Sequence, residues 1–500
     1  FWALSLFSPL KERFTASLAS TETILTSASK SKSIWSEIPR SVTSMSLSLF
    51  VGLYCFRLAS SVFLLRTYFD PDEYWQCVEP ACKLAFGHGA LTWEWQKGMR
   101  GWLYPVVFGG TMWLVKRVFR IGDEHDYLIV ELVPKFIQAL VTALIDFYTY
   151  KLAMKYQPKL GKRVLILMLG SWFMFCYVNR TLTNSLECAL TVMAMFYDDK
   201  KALKYTLIAL ATVARPTAIL NWIFMDGFYS VDAVAPFLIC HFWSSLLDSL
   251  LYGELTFVPW NFVYENLISG KSGHFGVSGV FYYLTAALPC ILLSYAVYFI
   301  RGLRLAPNYA VRHVLSLVLI YSCLSHKEIR FLMSSVPSVM IICANGMAGT
   351  SRRLFKTAIV LQLACALYFS FSFQAGPVAC VKWLRTQPYH EVFFLTPCHS
   401  VPWTGFLARF NSEEEVTFKQ LECDPTKLDA EGLDESDHFY LDPEGYLDKH
   451  ILANIVVSFE PLSELLTSRG YTEIARFHNG HWNPDPRRSG DMIVWRKGSL

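Results

Sequence analysis

The sequence predicts an α-helical protein that crosses a membrane several times and ends in a small soluble α/β domain. Of its 500 residues, 53% are hydrophobic and only 17% are charged, whereas globular proteins carry about 25% charged residues. The mean hydropathy is +0.31. The apolar residues form long runs that end in basic or polar breaks, which is typical of multi-pass membrane proteins.

The same composition excludes several other classes of protein. A soluble enzyme of this length needs more charged surface. The chain has 27 Gly and 22 Pro, too few for a collagen-like or disordered chain. Its 13 Cys are spread over the whole length, unlike those of a small disulfide scaffold. The net charge of +4 is too small to indicate nucleic acid as a partner.

The first long apolar run covers about residues 46–65 and is interrupted by Arg57. Residues 1–44 are rich in Ser and Thr, and we expect them to be a non-native or disordered segment outside the fold. An ionisable group within a span usually faces the protein interior and pairs there. The alternative is that Arg57 extends its side chain to the membrane surface.

Basic loops give the orientation of the spans. Residues 151–163 hold five Lys or Arg and no acid, which places this loop in the cytosol. The same rule makes residues 66–101 a large first lumenal loop. Residues 102–115 are too short for a span, and Pro105 favours a re-entrant or interfacial helix. The other predicted spans are 127–150, 164–178, 186–197, 205–224, 281–300, 309–324, 332–349 and 357–374.

One crossing is missing from this count. The span 205–224 and the apolar stretch around 233–251 would both have to run from the cytosol to the lumen for the later helices to fit. We therefore expect that a hydrophobic crossing has been deleted from the chain near residues 221–248.

The chain divides into a transmembrane catalytic domain at residues 45–374 and a soluble lumenal domain at residues 375–500. Between Asn411 and His450 there are thirteen Asp or Glu but three Lys or Arg, with short strand-like runs nearby. About 125 residues is a usual length for one domain. Because the lumen is oxidising, we favour a disulfide between Cys398 and Cys423.

The densest group of charges at the membrane border is the segment 69–76 (FDPDEYWQ), followed by 91–95 (LTWEW). Three carboxylates within four residues are costly there unless they bind a cation or transfer a proton. Pro71 can open a helix and fix Asp72 and Glu73 in its first turn. The alternative is a helix-capping cluster, and the spacing does not decide between the two.

A second cluster, residues 326–331 (HKEIRF), places cations between two apolar spans. Lys327 and Arg330 in such a turn suit a phosphate, with His326 beside them and a weaker candidate in Arg180. Simple positioning at the membrane surface is the alternative. An acidic loop and a basic turn on one side suit glycosyl transfer from a polyprenyl phosphate. In that reaction a carboxylate deprotonates the acceptor and cations stabilise the leaving phosphate.

The motifs resemble, in order, those of glycosyltransferase family 22, whose members use dolichyl-phosphate-mannose. The similar segments are 70–76 (DPDEYWQ), 87–95 (GHGALTWEW), 180–187 (RTLTNSLE), 215–217 (RPT) and 326–331 (HKEIRF). The resemblance covers about residues 45–500. It implies a C-superfamily (GT-C) helical bundle in the endoplasmic reticulum membrane that adds the third, α1,2-linked mannose to the glycosylphosphatidylinositol (GPI) precursor.

The resemblance also implies roles for single residues. Inversion in one displacement needs one base, which is assigned to Asp72, with Glu73 as substitute or as a residue that orients the acceptor. The donor phosphate is assigned to His326, Lys327 and Arg330, helped by Arg180. The residues assigned to the acceptor or sugar are Tyr74, Trp75, Gln76, Trp93, Glu94 and Trp95.

The implied partners are the membrane, the lipid donor dolichyl-phosphate-mannose and the GPI-precursor acceptor. No cofactor, nucleotide sugar or metal is implied, and the Cys and His spacings do not match a zinc site. One alternative is a sibling mannosyltransferase that extends the lipid-linked oligosaccharide of N-glycosylation. Another is a lipid-phosphate transporter or scramblase, which predicts internal repeats, and the sequence has no convincing one.

Overall fold

Helix α1 (Arg40–Ala59) begins the described part of the chain and continues as a π-helical turn to Leu64. The structure is a computed structural model that describes residues 40–226, 228–269, 276–407, 417–429, 432–450 and 452–498. Most of the segment 1–44, expected to lie outside the fold, falls outside these ranges. Contacts divide the chain after Gly52. Of the first unit the structure describes the start of α1, and the account below concerns residues 53–500.

Helices dominate the chain up to residue 384. They are α2 (Glu79–Phe86), α3 (Trp93–Gln96), α4 (Leu103–Phe119), α5 (Asp126–Tyr156), α6 (Gly161–Gly170), α7 (Thr183–Phe196), α8 (Lys201–Ala214), α9 (Val234–Tyr252), α10 (Val258–Val263), α11 (Leu288–Leu292), α12 (Ala296–Gly302), α13 (Asn308–Ser322), α14 (Val336–Gly346), α15 (Arg352–Phe371) and α16 (Gly376–Leu384). Short 3-10 or π-helical turns join several of them.

Six helical stretches in the described residues are long and apolar enough to cross a membrane. They are Ser46–Leu64, Asp123–Tyr156, Val231–Tyr252, Tyr283–Gly302, Ile329–Gly346 and Arg352–Leu384. The protein is therefore a multi-pass membrane protein, as predicted. Helix α4, over the run expected to be re-entrant or interfacial, has 17 residues and is not among these six.

The core of the bundle is built by helices that are distant in sequence. Ile145, Leu167, Val192, Leu317 and Ile341 come from α5, α6, α7, α13 and α14, and each is at most 1% exposed. They belong to one continuous apolar cluster. Burial of a Leu or Ile side chain stabilises a water-soluble fold by about 1.5–3 kcal/mol, but in a membrane close packing replaces much of that driving force.

Helices α12 and α14 approach each other closely at two glycines. A Cβ atom on Gly302 would lie 1.9 Å from the carbonyl oxygen of Ile342, and one on Gly346 would lie 1.9 Å from that of Tyr298. Small residues allow such close backbone packing between membrane helices. Each glycine therefore fits where a larger residue would force the two helices apart.

The pair Arg57 and Asp146 lies in the bundle interior, where both side chains are 0% exposed. Arg57 donates to both carboxylate oxygens, at 2.6 and 2.8 Å, and to the carbonyl oxygens of Met168 and Met174. A buried charge needs a partner of this kind. The expectation that Arg57 faces the interior and pairs there is confirmed.

The chain that follows α8 is not α-helical. Helix α8 ends at Ala214 because Pro216 disfavours helical geometry at Arg215, which has φ −147° and ψ 116°. A 3-10 helix, Pro216–Asn221, follows. The chain then returns to the start of α8, where Asp232 lies 2.8 Å from Lys201. The predicted span 205–224 is therefore wrong beyond Ala214, since this segment runs back along α8.

The first loop is fixed to the C-terminal part of the chain through Glu79. Its carboxylate accepts hydrogen bonds from the backbone N–H groups of Ala90 at 3.1 Å and Gly405 at 3.0 Å. Burial raises the pKa of Glu79 to about 7, although these backbone bonds lower it. The loop after α1 therefore packs against residues of the tail.

The C-terminal segment folds into a five-stranded mixed sheet in the order β2-β1-β3-β5-β4. The strands are β1 (Glu391–Phe394), β2 (Thr417–Gln420), β3 (Ile455–Phe459), β4 (Tyr471–Phe477) and β5 (Met492–Lys497). Strand β1 runs parallel to β2 and β3, and β5 runs antiparallel to β3 and β4. Its helices are α17 (Thr404–Leu407), α18 (Glu435–Leu441), α19 (Pro443–Lys449) and α20 (Ser463–Ser468).

Both faces of this sheet are covered. Successive strand side chains point to opposite faces, so Val457 joins the apolar cluster that contains Leu384 of α16. Its neighbour Val456 joins the cluster that contains Phe439 of α18 and Leu466 of α20. Helices therefore lie on both sides of a central sheet, and the predicted α/β character of the tail is confirmed. The predicted disulfide between Cys398 and Cys423 is present as well.

Candidate active site

The acidic segment after α1 is held in a turn that starts at Asp70. The Asp70 carboxylate accepts the backbone N–H of Asp72 at 3.0 Å, and the N–H of Trp75 donates to the carbonyl of Pro71 at 3.1 Å. Tyr177 donates its hydroxyl to Asp70 at 2.5 Å. This local geometry projects Asp72 and the next residue, Glu73, in different directions.

Arg330 brings the basic turn against the acidic segment. Its guanidinium lies 3.0 Å from the carboxylate of Asp70 and 2.5 Å from that of Asp72. It also donates to Glu328 at 2.8 Å. One cation therefore faces three carboxylates, which leaves excess negative charge in the cluster. The acidic segment and the basic turn lie together, as the proposed chemistry requires.

The electrostatics of this cluster separate its carboxylates. Burial raises the pKa of Asp72; Arg330 lowers it, and the nearby Asp70 and Glu328 raise it again, which leaves it at about 7. Burial also raises the pKa of Glu328, but Arg330 and His326 lower it to about 2. A carboxyl group with a pKa near neutrality is suited to accept a proton during a reaction.

Glu73 faces away from Asp72, toward Arg180. The two side chains form an ion pair at 2.9 Å, and Arg180 also donates to the carbonyl and hydroxyl of Thr67, both at 2.7 Å. Burial raises the pKa of Glu73, and Arg180 lowers it. Glu73 and Arg180 line a smaller cavity of about 340 Å³, which does not include Asp72.

Asp72 lines a larger cavity of about 1070 Å³ between the bundle, the first loop and the C-terminal tail. Of the residues assigned from the sequence, this cavity brings together eight: Asp72, Trp75, Gln76, Trp93, Glu94, His326, Lys327 and Arg330. The smaller cavity holds Glu73, Tyr74 and Arg180. The structure therefore divides the predicted site into two parts.

Lys327 differs from Arg330 in its partners. Its ammonium group donates to the carbonyl oxygens of Ser278, at 2.9 Å, and Leu324. No carboxylate in the described part of the chain forms an ion pair with it. His326 bonds to Glu328 at 2.9 Å; burial lowers the pKa of His326, but Glu328 raises it more. Lys327 thus keeps a positive charge available to an anion in the cavity, whereas Arg330 is already paired.

The aromatic and polar residues of the first loop have distinct positions. Trp75 donates its ring N–H to the hydroxyl of Tyr68 at 2.7 Å, and Gln76 donates to the carboxylate of Asp72. Glu94 forms a bidentate pair with Arg100 at 2.5 and 3.0 Å.

Two of the residues assigned to the sugar lie outside this cavity. Trp95 is 1% exposed and donates to the carbonyl of Trp75. Tyr74 stacks on Tyr68.

Comparisons with known proteins identify the family of this chain. The profile of the Alg9-like mannosyltransferase family matches residues 48–408, a range that contains the acidic segment and the basic turn. The chain belongs to the Alg9-like mannosyltransferase family. It is therefore a glycosyltransferase, and the resemblance derived from the motifs is confirmed.

Two relatives illustrate how far the likeness extends. The chain is 30% identical to "GPI mannosyltransferase 3" of Candida albicans, over 91% of this chain and 99% of that protein. It is 30% identical to "GPI alpha-1,2-mannosyltransferase 3" of Mus musculus, over 87% of this chain and 86% of that protein. Both alignments extend beyond the part matched by the profile.

The fold is that of GT-C glycosyltransferases, as predicted. A similar solved structure is that of ArnT from Cupriavidus metallidurans bound to undecaprenyl phosphate, with a TM-score of 0.50 and 11% identity. The superposition covers 91% of this chain and 99% of that chain. At such low identity the likeness concerns the arrangement of the chain alone.

In this Alg9-like mannosyltransferase the cavity also contains residues that the sequence reasoning did not assign. Asp70 and Glu328 share Arg330 with Asp72. Both belong to the segments 70–76 and 326–331 on which the sequence prediction depends. The tail contributes His399, Arg487 and Arg488. Nothing local in the sequence places the tail over the acidic segment, since long-range packing brings them together.

Cys398, Cys423 and Asp434 lie close enough to one another to be considered as ligands of a metal. The two sulfur atoms are joined in the disulfide, and a thiol must be deprotonated and free to bind a metal. This mannosyltransferase therefore uses the two cysteines as a cross-link between two segments of the tail that line the cavity.

Proposed function

We propose that the protein transfers the third mannose, in α1,2 linkage, from dolichyl-phosphate-mannose to the GPI precursor. The observation that carries the chemistry is that Asp72 and Lys327 line one cavity, where a base and a cation can act on a single lipid-linked sugar. The acceptor and linkage are taken from the names of the relatives. Those names favour the GPI precursor as the acceptor over the oligosaccharide of N-glycosylation. Membership of a mannosyltransferase family favours an enzyme over a lipid-phosphate transporter or scramblase.

The proposed reaction is a single displacement at C1 of the mannose. Asp72 accepts the proton of the attacking acceptor hydroxyl as the new C1–O bond forms on the face opposite the phosphate. The bond between C1 and the phosphate oxygen breaks, and the phosphate leaves with the electron pair. A β-linked donor thereby gives an α-linked product. Raising the pKa of Asp72 to about 7 makes it a stronger base than an ordinary aspartate.

Lys327 is proposed to bind the donor phosphate, with His326 beside it and Arg330 positioning Asp72. A developing negative charge on the leaving phosphate is stabilised most by a fixed cation that is not already neutralised. Lys327 meets that condition because its contacts in the described chain are carbonyl oxygens. Glu73 and Arg180 are proposed to hold the first loop against the bundle.

The proposed location is the endoplasmic reticulum membrane, with both cavities and the tail on the lumenal side. Under this proposal residues 45–374 form the transmembrane catalytic domain and residues 375–500 the lumenal domain. The acceptor glycolipid then reaches Asp72 from the lumenal leaflet. The basic segment 151–163 faces the cytosol, in agreement with the usual distribution of Lys and Arg.

The test is transfer in vitro by the full chain in detergent, from dolichyl-phosphate-mannose to a GPI acceptor that carries two mannoses. We expect a product with one added mannose that an α1,2-specific mannosidase removes. The two-mannose acceptor should be replaced in a matched reaction by a lipid-linked oligosaccharide acceptor. Transfer to that acceptor alone, or a product with another linkage, would contradict the proposal.

A further inference from the structure

The tail forms a wall of the large cavity opposite the acidic segment. His399, Asp434, Tyr440, Arg487 and Arg488 all line the same cavity as Asp72. At about 1070 Å³ the cavity reaches the upper end of the usual range for ligand sites, roughly 300–1000 Å³. One sugar with its phosphate does not need this volume. The cavity therefore has room for the acceptor, and the tail is the surface it would touch.

The two arginines of this wall carry more positive charge than their partner neutralises. Arg487 forms a bidentate pair with Asp485 at 3.0 and 3.1 Å and lies 5.3 Å from the centre of the Tyr440 ring. The Nε atom of Arg488 lies 3.6 Å from the same Asp485 carboxylate. The Asp485 carboxylate thus serves two guanidinium groups, while Asp434 and Asp437 line the same cavity.

Arg488 also has an unused hydrogen-bond donor. Its terminal nitrogen donates to the carbonyl of Cys398 at 2.9 Å, which orients the guanidinium. Its Nε atom is buried, and no group in the described part of the chain accepts a hydrogen bond from it. A buried donor that makes no hydrogen bond is costly, even with the Asp485 carboxylate 3.6 Å away. An anion in the cavity would supply the acceptor that this atom lacks.

The segment beside Arg488 is unusually constrained. His399 has a φ of +55°, a left-handed backbone conformation that is strained for a non-glycine residue. It is bounded by Cys398, which is cross-linked to Cys423, and its ring packs against that of Trp75. Strain of this kind is retained where the surrounding structure enforces it, which is common at binding sites.

We propose that Arg487 and Arg488 form an anion subsite that binds a phosphate of the acceptor glycolipid. This inference rests on the proposed function for the identity of the acceptor. Guanidinium groups suit phosphates because they donate two parallel hydrogen bonds. The subsite lies on the tail, whereas Lys327, which serves the donor phosphate, lies on the bundle. The tail thereby selects a phosphate-bearing acceptor while the bundle binds the donor.

The experiment compares Arg488→Gln with the wild-type chain in transfer assays that use acceptors with and without phosphate. We expect the KM for the phosphate-bearing acceptor to rise about 10-fold or more, the usual effect of losing a charge-assisted hydrogen bond. The KM for the donor and for the phosphate-free acceptor should not change. Arg488→Lys should restore part of the loss. Acceptors phosphorylated only at the inositol or only on the glycan distinguish the two sources of phosphate.

The matched control is Arg476→Gln, since Arg476 on β4 is paired with Glu473 and Glu460 and does not line the cavity. It should keep the KM for every substrate. An equal loss on both acceptors in Arg488→Gln, an unchanged KM, or a raised donor KM would overturn the subsite. If Arg488→Gln does not accumulate in the membrane, Arg487→Gln gives the same comparison.

A binding measurement keeps this test separate from that of the proposed function. The thermal unfolding midpoint of the purified full chain is measured with inositol phosphate and with inositol. We expect the phosphate to raise the midpoint in the wild type more than inositol does, and the difference to be lost in Arg488→Gln. Absence of transfer to any GPI acceptor would then refute the function alone. Absence of phosphate-dependent stabilisation in the wild type would refute the subsite.

Discussion

The carboxylate of Asp72 lies 2.5 Å from the guanidinium of Arg330, although one residue belongs to the first loop and the other to the turn before α14. Arg330 also contacts Asp70 and Glu328. This shared cation holds Asp72 in position without fully neutralising the cluster. The proposed base therefore depends on a cation that does not itself have to touch the substrate.

Replacing Asp72 by Asn should abolish most of the mannose transfer while the protein remains folded in the membrane. Loss of a general base reduces a rate by about 10²–10⁴-fold. Arg330 keeps Asp70 and Glu328 as partners in this variant, so no unpaired charge is created. The measurement is kcat with saturating donor and acceptor.

The control for Asp72→Asn is Asp199→Asn. The Asp199 carboxylate is 67% exposed, lies 3.2 Å from Lys155 and does not line the cavity. This control should keep wild-type turnover. Turnover retained in Asp72→Asn would show that another group acts as the base.

The rate should rise with pH and reach a plateau above about pH 7, because only ionised Asp72 accepts a proton and its pKa is about 7. Stability should follow the opposite trend. Folding raises the pKa of Asp72 from 3.8 to about 7, so the folded state binds a proton more tightly than the unfolded state. The stability that this proton adds is complete below pH 3.8 and is lost as the pH rises through 7.

The pH effect on stability is checked by comparing the thermal midpoints of wild type and Asp72→Asn across that range. The variant should lose less stability between about pH 4 and 7, since its amide does not titrate. Part of the pH dependence should remain through Glu79, whose pKa is also raised to about 7. Identical pH profiles in the two proteins would mean that Asp72 titrates outside this range.

Lys327→Ala should mainly weaken donor binding, whereas Arg330→Ala should mainly destabilise the protein. Lys327→Ala should raise the KM for the lipid donor by about 10-fold or more, leave the acceptor KM unchanged and lower the thermal midpoint less than Arg330→Ala does. Arg330→Ala leaves the buried carboxylate of Asp70 and the half-buried carboxylates of Asp72 and Glu328 without their shared cation, which should cost up to about 3–5 kcal/mol and reduce the amount of folded protein. A donor KM that stays constant in Lys327→Ala would contradict its proposed role.

The sequence predicted candidate site residues where the signal was local. Asp72 and the basic turn could be found because charges at a membrane border are rare and costly. The side to which Glu73 points could not be found, since a single backbone turn at Asp70 decides it. The same holds for the cavity wall formed by Arg488, because no periodicity records how a distant sheet packs against the first loop.

The fold shows the same limit. Hydropathy predicted the long helices, including the one that carries Arg57, because their apolar runs match the thickness of a bilayer. The return of the chain after Ala214 escaped prediction because Pro216–Asn221 is a 3-10 helix with no helical apolar period.

Gly346→Ala should destabilise the bundle, since the added Cβ would lie 1.9 Å from the carbonyl oxygen of Tyr298. Overpacking of this kind costs about 1–3 kcal/mol, more where the contact is backbone. The matched control is Gly110→Ala in α4, where a Cβ meets nothing within 4 Å. The control should be neutral or slightly stabilising. Equal thermal midpoints for the two variants would contradict the close crossing of α12 and α14.

Breaking the pair Arg57 and Asp146 should strongly destabilise the bundle. Asp146→Ala leaves a guanidinium that is 0% exposed with only carbonyl partners, and an unpaired buried charge costs about 3–5 kcal/mol. The double variant Arg57→Met with Asp146→Leu removes both charges and keeps similar volume, so its thermal midpoint should recover most of the loss. A double variant as unstable as Asp146→Ala would indicate that the pair is needed for more than charge compensation.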